Sequence, residues 1–419
     1  MKRFLLAIVF LTLSTSVYAE SSCAVMNFLE NNPVFNRQEL WGYRQKLEDK
    51  GITFDVVYTG DSVSNASGGI QTGTSYLGNL DLQMTVDTEK AGLWKHGTLF
   101  VYGLYNFGTD LATGKYVGDV QGLDNIEAPR LFKLFELWYE HRFFNDTLSA
   151  RTGLYNLNSE FDVSEYGGLF LNSSFGIEPT VSLNTPTSIF PLSAPAFRLK
   201  WDPIPLLTLQ AAILNGDPGD EDTNPHGVNL AFNKKRGNMV VAEAQIHQDV
   251  PLPLVGSLPG TLKGGIWNNN KRIDDVIAVD ENLNPVSHAG NNGFYVVLDQ
   301  MLFREKDEQG LGFFAQYGQA PEDRNMLNRY YGLGVNYKGL IPHRDEDTLG
   351  FAYNRASTGN DYRETGDFDK AEEVMEVTYQ WQLTKAIVIQ PDFQVIHNPG
   401  VDPTLKDAKV VTIRTKISF

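Results

Sequence analysis

Residues 131–156 read LFKLFELWYEHRFFNDTLSARTGLYN. Two alternating runs flank Asn145-Asp146-Thr147, a turn triplet. The first run predicts a strand with Leu131, Phe135, Leu137, Tyr139 and Phe143 on one face and Glu136, Trp138, Glu140 and Arg142 on the other. One side of this sheet is greasy with aromatic ends, and the other is charged. A soluble sheet buries the greasy side in a core. A transmembrane barrel turns it to lipid and wets the charged side in its lumen.

The same division recurs along the chain. Leu80, Leu82, Met84 and Val86 oppose Asn79, Asp81, Gln83 and Thr85. Phe197, Leu199 and Trp201 oppose Arg198 and Lys200, and Ile387, Ile389, Phe393 and Val395 oppose Gln390, Asp392 and Gln394. At the end, Val411, Ile413, Thr415, Ile417 and Phe419 oppose Val410, Thr412, Arg414, Lys416 and Ser418. Sixteen such strands are predicted between 52–59 and 410–419. The connections alternate long and short, as loops and periplasmic turns do in an up-and-down barrel. Residues 60–76, 108–130, 157–193 and 268–292 are among the long ones.

The N-terminus supports export. Lys2 and Arg3 precede an apolar Phe4–Leu13, and Val17-Tyr18-Ala19 offers a cleavage site, so 1–19 reads as a signal peptide. Residues 20–50 read as a periplasmic segment, partly helical, with Asn36 as cap, Glu39 closing a capping box, and Leu40, Tyr43 and Leu47 at helical spacing. Residues 51–419 form the barrel domain. Cys23 stands alone, so no internal disulfide is available. The chain carries a net charge of −16 with no basic block, which argues against nucleic acid as a partner. Aromatic content of 12% beside a mean hydropathy of −0.26 fits a barrel whose lumen is polar.

A barrel of this size holds a wide aqueous lumen that something must narrow. The 157–193 loop carries Phe161, Tyr166, Leu169, Phe170 and Phe175, too many apolar groups for a loop in water, and is expected to fold inward. An extracellular cap is the alternative. The strands flanking it hold the densest lumen charges: Glu136, Glu140, Arg151, Arg198 and Lys200, with Trp138 among them. Asp81, Asp392, Arg414 and Lys416 face the lumen elsewhere. Arginine forks and carboxylates match sugar hydroxyls, and an indole matches the apolar face of a pyranose. Large patches of one sign suit an ion instead.

In order along the chain, LEDKGITFDVVYTGDSVSNASGGIQTG, FELWYEHRFFNDTLSARTGLYN, FLNSSFG, ILNGDPGD, EVTYQWQLTKAIVIQPDFQVIHNPG and VVTIRTKISF resemble segments of the carbohydrate-selective porins of the OprB family. The resemblance implies a sixteen-strand Gram-negative outer-membrane barrel that passes sugars by facilitated diffusion without a cofactor. It implies a sugar-binding constriction, carried here only to Glu136, Trp138, Glu140, Arg151 and Arg198. It also implies that Phe419 is read by outer-membrane assembly machinery, amid lipid and lipopolysaccharide, in a monomer or homotrimer. A general or ion-selective porin is the competing reading. An outer-membrane enzyme needs a nucleophile and base at one rim, and none stands beside His247 or His397. Asp217, Asp220, Glu221 and Asp222 lack an EF-hand pattern and read as a solvated loop rather than a Ca²⁺ site.

Overall fold

The computed structural model describes residues 44–220, 222–228, 234–252 and 256–419. The expected signal peptide, Cys23, Glu221 and most of the expected N-terminal helix lie outside them. The strands are β1 (Ile52–Gly69), β2 (Gly73–Asp87), β3 (Gly97–Gly108), β4 (Leu131–Phe143), β5 (Leu148–Tyr155), β6 (Ala194–Ile204), β7 (Leu207–Asn215), β8 (Asn238–Leu252) and β9 (Gly256–Asn269). They continue as β10 (Ile273–Val279), β11 (Pro285–His288), β12 (Asn291–Lys306), β13 (Gln309–Gln319), β14 (Leu327–Lys338), β15 (Thr348–Thr358), β16 (Ala371–Gln382), β17 (Ile387–His397) and β18 (Lys406–Ser418).

Sixteen of them close an antiparallel barrel in sequence order, with β1 paired to β18, and β10–β11 form a separate hairpin in the β9–β12 connection. Closure matters because lipid offers no hydrogen bonds to an open edge. The closing register places Asp61 opposite Arg414 and Tyr58 opposite Ile417. Just ahead of the barrel, α1 (Arg44–Glu48) sends Arg44 Nη1 to the Phe419 carbonyl at 3.1 Å.

Facing follows the alternation in most strands. Phe197, Leu199 and Trp201 are 43–49% exposed outward, while Arg198 between them is 1% exposed. The hydrophobic core lies inside the lumen, where two loops pack on the wall. The 157–193 loop folds inward as expected. Its Phe161 joins Met239, Val241, Trp267 and Tyr295 of the wall, and Phe170 and Phe175 meet Phe314 and Ala352. Each buried phenyl ring contributes about 1.5–3 kcal/mol.

The sequence reading needs three corrections. First, Phe135 does not face lipid. Tyr102 pairs with Glu136 but Gly103 pairs with Leu134, so a β-bulge gives β4 an extra residue here. Beyond the bulge the parity flips, and Phe135 turns inward, 2% exposed, against Tyr102 and Phe190. Second, much of 60–76, expected as loop, is strand. β1 and β2 stay paired as far as Asn65 with Gly73. The turn needs Gly68 (φ 73°), where a Cβ would lie 1.9 Å from the Asp407 carbonyl oxygen. Third, the 109–130 connection also folds inward. Val117 and Leu123 bury against Val374, Ile396 and Val410.

Candidate functional site: the channel constriction

The inward loops leave a belt of polar and aromatic groups along β18, β1 and β2–β5. At one end, Glu140 faces Arg151 across the β4–β5 pair, and Arg151 faces Arg198 across β5–β6. Two cations side by side repel unless carboxylates stand between them. Glu140 and Glu160 do so.

Arg198 Nη2 reaches Glu140 Oε2 at 2.6 Å and Glu160 Oε1 at 2.9 Å, its Nε reaches Glu160 Oε2 at 2.8 Å, and its Nη1 donates to Ser149 Oγ at 2.6 Å. Every face of this guanidinium is occupied, and it is 1% exposed. Arg198 therefore does not present itself to the pore as expected. It anchors the loop, through Glu160, to the wall.

Arg151 is held differently. Its Nη2 lies 3.0 Å from Glu140 Oε2, and its guanidinium carbon lies 3.8 Å over the Trp138 ring. Trp138 stacks on Phe100 at 4.9 Å, and its Nε1 donates to Glu136 Oε2 at 3.0 Å. The path continues through Tyr102, whose hydroxyl donates to Asp81 Oδ1 at 2.6 Å. At the other end, Arg414 Nη2 lies 2.7 Å from Asp61 Oδ2, 3.1 Å from Asp124 Oδ1 and 2.8 Å from Asn125 Oδ1.

Beside this end lies a cavity of about 240 Å³. Thr59, Asp81, Gln390, Arg414 and Lys416 line it, along with Gly168 and Leu169 from the tip of the inward loop. Ile126 and Val388 add apolar wall. The belt thus sets four cations among six carboxylates and is rich in both donors and acceptors.

The structure brings Glu136, Trp138, Glu140 and Arg151 together, and Asp81, Arg414 and Lys416 around the cavity. It leaves three expected pore residues out, the enclosed Arg198 and two others. Lys200 is half-buried in β6, two residues toward the periplasm from Arg198. Asp392 points inward but is 3% exposed, hydrogen-bonded to Gln394. Sequence reading missed Asp61, Tyr102, Asp124 and Glu160. Aligning the closing strands would have found Asp61, which pairs with Arg414. Nothing local marks Glu160. The acidic 217–222 loop spends Asp217 on Lys271 at 2.7 Å, and Asp220 caps the Thr223 amide at 2.8 Å.

A closed sixteen-strand barrel, greasy outside and narrowed by inward loops around a polar belt, defines an outer-membrane porin. Residues 71–419 match the carbohydrate-selective porin, OprB family, and the chain belongs to that family. Porin B of Pseudomonas aeruginosa is 24% identical over 90% of both chains. The putative porin QuiX of Acinetobacter baylyi is 22% identical over 90% of this chain and 91% of its own. In fold, the high-pH structure of Pseudomonas putida OprB superposes with a TM-score of 0.82 at 22% identity, covering 90% of this chain and 96% of that one. The protein is a channel of the Gram-negative outer membrane, in the carbohydrate-selective class.

Proposed function

We propose that the belt takes neutral mono- or small oligosaccharides one unit at a time by facilitated diffusion. One observation carries this reading: Arg151 lies 3.8 Å over Trp138 while Glu136 holds the indole N–H at 3.0 Å. That places the indole, sandwiched between Phe100 and Arg151, beside a fork of donors and a fixed acceptor within one sugar ring's reach. A sugar can trade hydrogen bonds with these groups without leaving any buried charge unpaired. Trp138 and Arg151 are the binding residues, Glu136 and Glu140 orient them, and Arg198 and Glu160 support them from behind. Asp81 and Lys416 continue the path at the cavity.

Single-channel recording tests this. Sugar added to either side is expected to block ion current saturably, with liposomes swelling faster in monosaccharides than in amino acids of similar size. Trp138→Ala is expected to weaken the block by about five- to thirtyfold, as losing one ring contact worth about 1–2 kcal/mol implies. Equal swelling rates without saturable block would mean a general or ion-selective pore instead.

Residues 1–19 act as leader, 20–50 as a periplasmic segment and 51–419 as the barrel. Phe419, at the end of an alternating strand, serves as the assembly signal. Lipopolysaccharide surrounds the outward faces, and the protein works as a channel rather than an enzyme, as a monomer or homotrimer.

A further inference from the structure

Outside the channel, the extracellular connections bring together three side chains with no part in sugar passage. Asp275 stands in β10, His288 ends β11, and Asp323 lies in the connection after β13. His288 Nε2 lies 2.9 Å from Asp275 Oδ2 and 3.9 Å from Asp323 Oδ2. One donor atom from each lies within 4.8 Å of the others. We propose that Asp275, His288 and Asp323 bind a divalent transition-metal ion of the zinc class, which staples the β10–β11 hairpin to the neighbouring connection.

The geometry fits that ion. Tetrahedral zinc with bonds of about 2.0–2.2 Å needs its donors roughly 3.4 Å apart. The two His288 separations bracket this value and the third is at most 4.8 Å, so side-chain adjustments on the order of an ångström seat the ion. The imidazole nitrogen sets the class, because Ca²⁺ and Mg²⁺ take oxygen ligands. Asp323, 39% exposed, leaves room for a water in a fourth position.

Asp275 is held from behind, as metal ligands commonly are, while Asp323 shares its Oδ2 with Arg324. Asp275 Oδ1 accepts from the Ala278 amide at 2.7 Å and the Ile277 amide at 3.0 Å, which leaves Oδ2 for the ion. Arg324 grips Asp323 at 2.7 and 3.0 Å and donates to the Gly290 carbonyl at 2.9 Å. The Val276 amide donates to the Asp323 carbonyl at 2.8 Å, so hairpin and connection already touch.

The surroundings are short of positive charge. Asp361, in α3 (Asn360–Glu364; α2 is Pro179–Ser182), has its carboxyl raised above the ordinary range by desolvation, then by Glu322, Glu364, Asp275 and Asp323. Arg324 offsets one of the carboxylates. The competing arrangement is a protonated His288 between two carboxylates, which needs no metal.

The test uses the full chain without a polyhistidine tag, refolded in detergent and stripped with chelator. Titration with Zn²⁺ by calorimetry is expected to show one saturable site, with excess Mg²⁺ or Ca²⁺ not competing. His288→Ala and Asp275→Asn are each expected to weaken it more than about tenfold. His397→Ala, which removes a separate His–Asp pair, should leave it unchanged. Zn²⁺ should also slow proteolysis within 272–289 in the parent chain and not in His288→Ala. Absent saturable binding, binding that survives His288→Ala, or binding lost with His397→Ala would each overturn the site. All variants are checked for heat-modifiable migration, so loss of the barrel is not mistaken for loss of the ion.

Discussion

Arg151 and Arg198 face each other across one strand pair, yet the structure gives them different work. Arg151 keeps a face over Trp138, while Arg198 is walled in by Glu140, Glu160 and Ser149. Removing Arg198 leaves Glu140 and Glu160 to share Arg151 alone in a water-poor niche, at a cost of up to about 3–5 kcal/mol. Arg198→Ala is therefore expected to lower the urea midpoint of the bilayer-folded barrel, and Arg198→Lys to recover little, since one ammonium cannot replace the fork. Arg151→Ala should unfold near the parent midpoint and lose sugar block instead. If the two variants behave alike in both assays, the division of labour is wrong. Strand parity sent both arginines to the lumen and was right. It could not separate them, because the difference lies in a loop residue, Glu160, which grips Arg198 through two bonds at 2.8 and 2.9 Å and Arg151 through one contact at 3.4 Å.

At the scale of elements, the inward loops hang on wall carboxylates. Asp299 accepts from Ser164 Oγ at 2.7 Å and from the amides of Glu165 and Tyr166 at 3.1 Å each. Glu376 accepts from the Leu171 amide at 2.6 Å and the Asn172 amide at 3.1 Å. Glu372 holds the other loop through the amides of Val120 and Gln121 at 2.8 and 3.0 Å. A loop inside a barrel has backbone amides that water cannot all reach, and these carboxylates supply acceptors. The double variant Asp299→Ala/Glu376→Ala is expected to release the 157–193 tip, raise single-channel conductance, add gating noise and weaken sugar block. Unchanged conductance would show that apolar packing alone holds the loop. The inward fold of this loop was legible in its phenylalanines. That of 109–130 was not, because a mostly polar segment with a few apolar residues reads as an ordinary loop. Nor was the bulge at Phe135 legible, since one extra residue leaves the local alternation intact and changes only the pairing.

The whole molecule is a barrel turned inside out, with side chains packed in the lumen and the bilayer as its apolar surroundings. Adjacent residues of one strand can test this directly. Leu82 is 36% exposed on the outer face and pairs with Val56 and Gly103. It lies between Tyr76, nearer the cell surface, and Trp94, which bonds Tyr139 at 2.7 Å beyond the periplasmic end of β2. Gln83, next along, points into the lumen. An arginine facing the middle of the bilayer costs about 2–4 kcal/mol, whereas one facing water costs little. Leu82→Arg is therefore expected to lower folding stability in lipid vesicles by that amount, and Gln83→Arg by well under half of it. In detergent micelles, which deform around a charge, the gap should narrow. The opposite order in vesicles would mean that β2 is registered one residue off. Every residue of the strand would then change sides, carrying Asp81 out of the constriction.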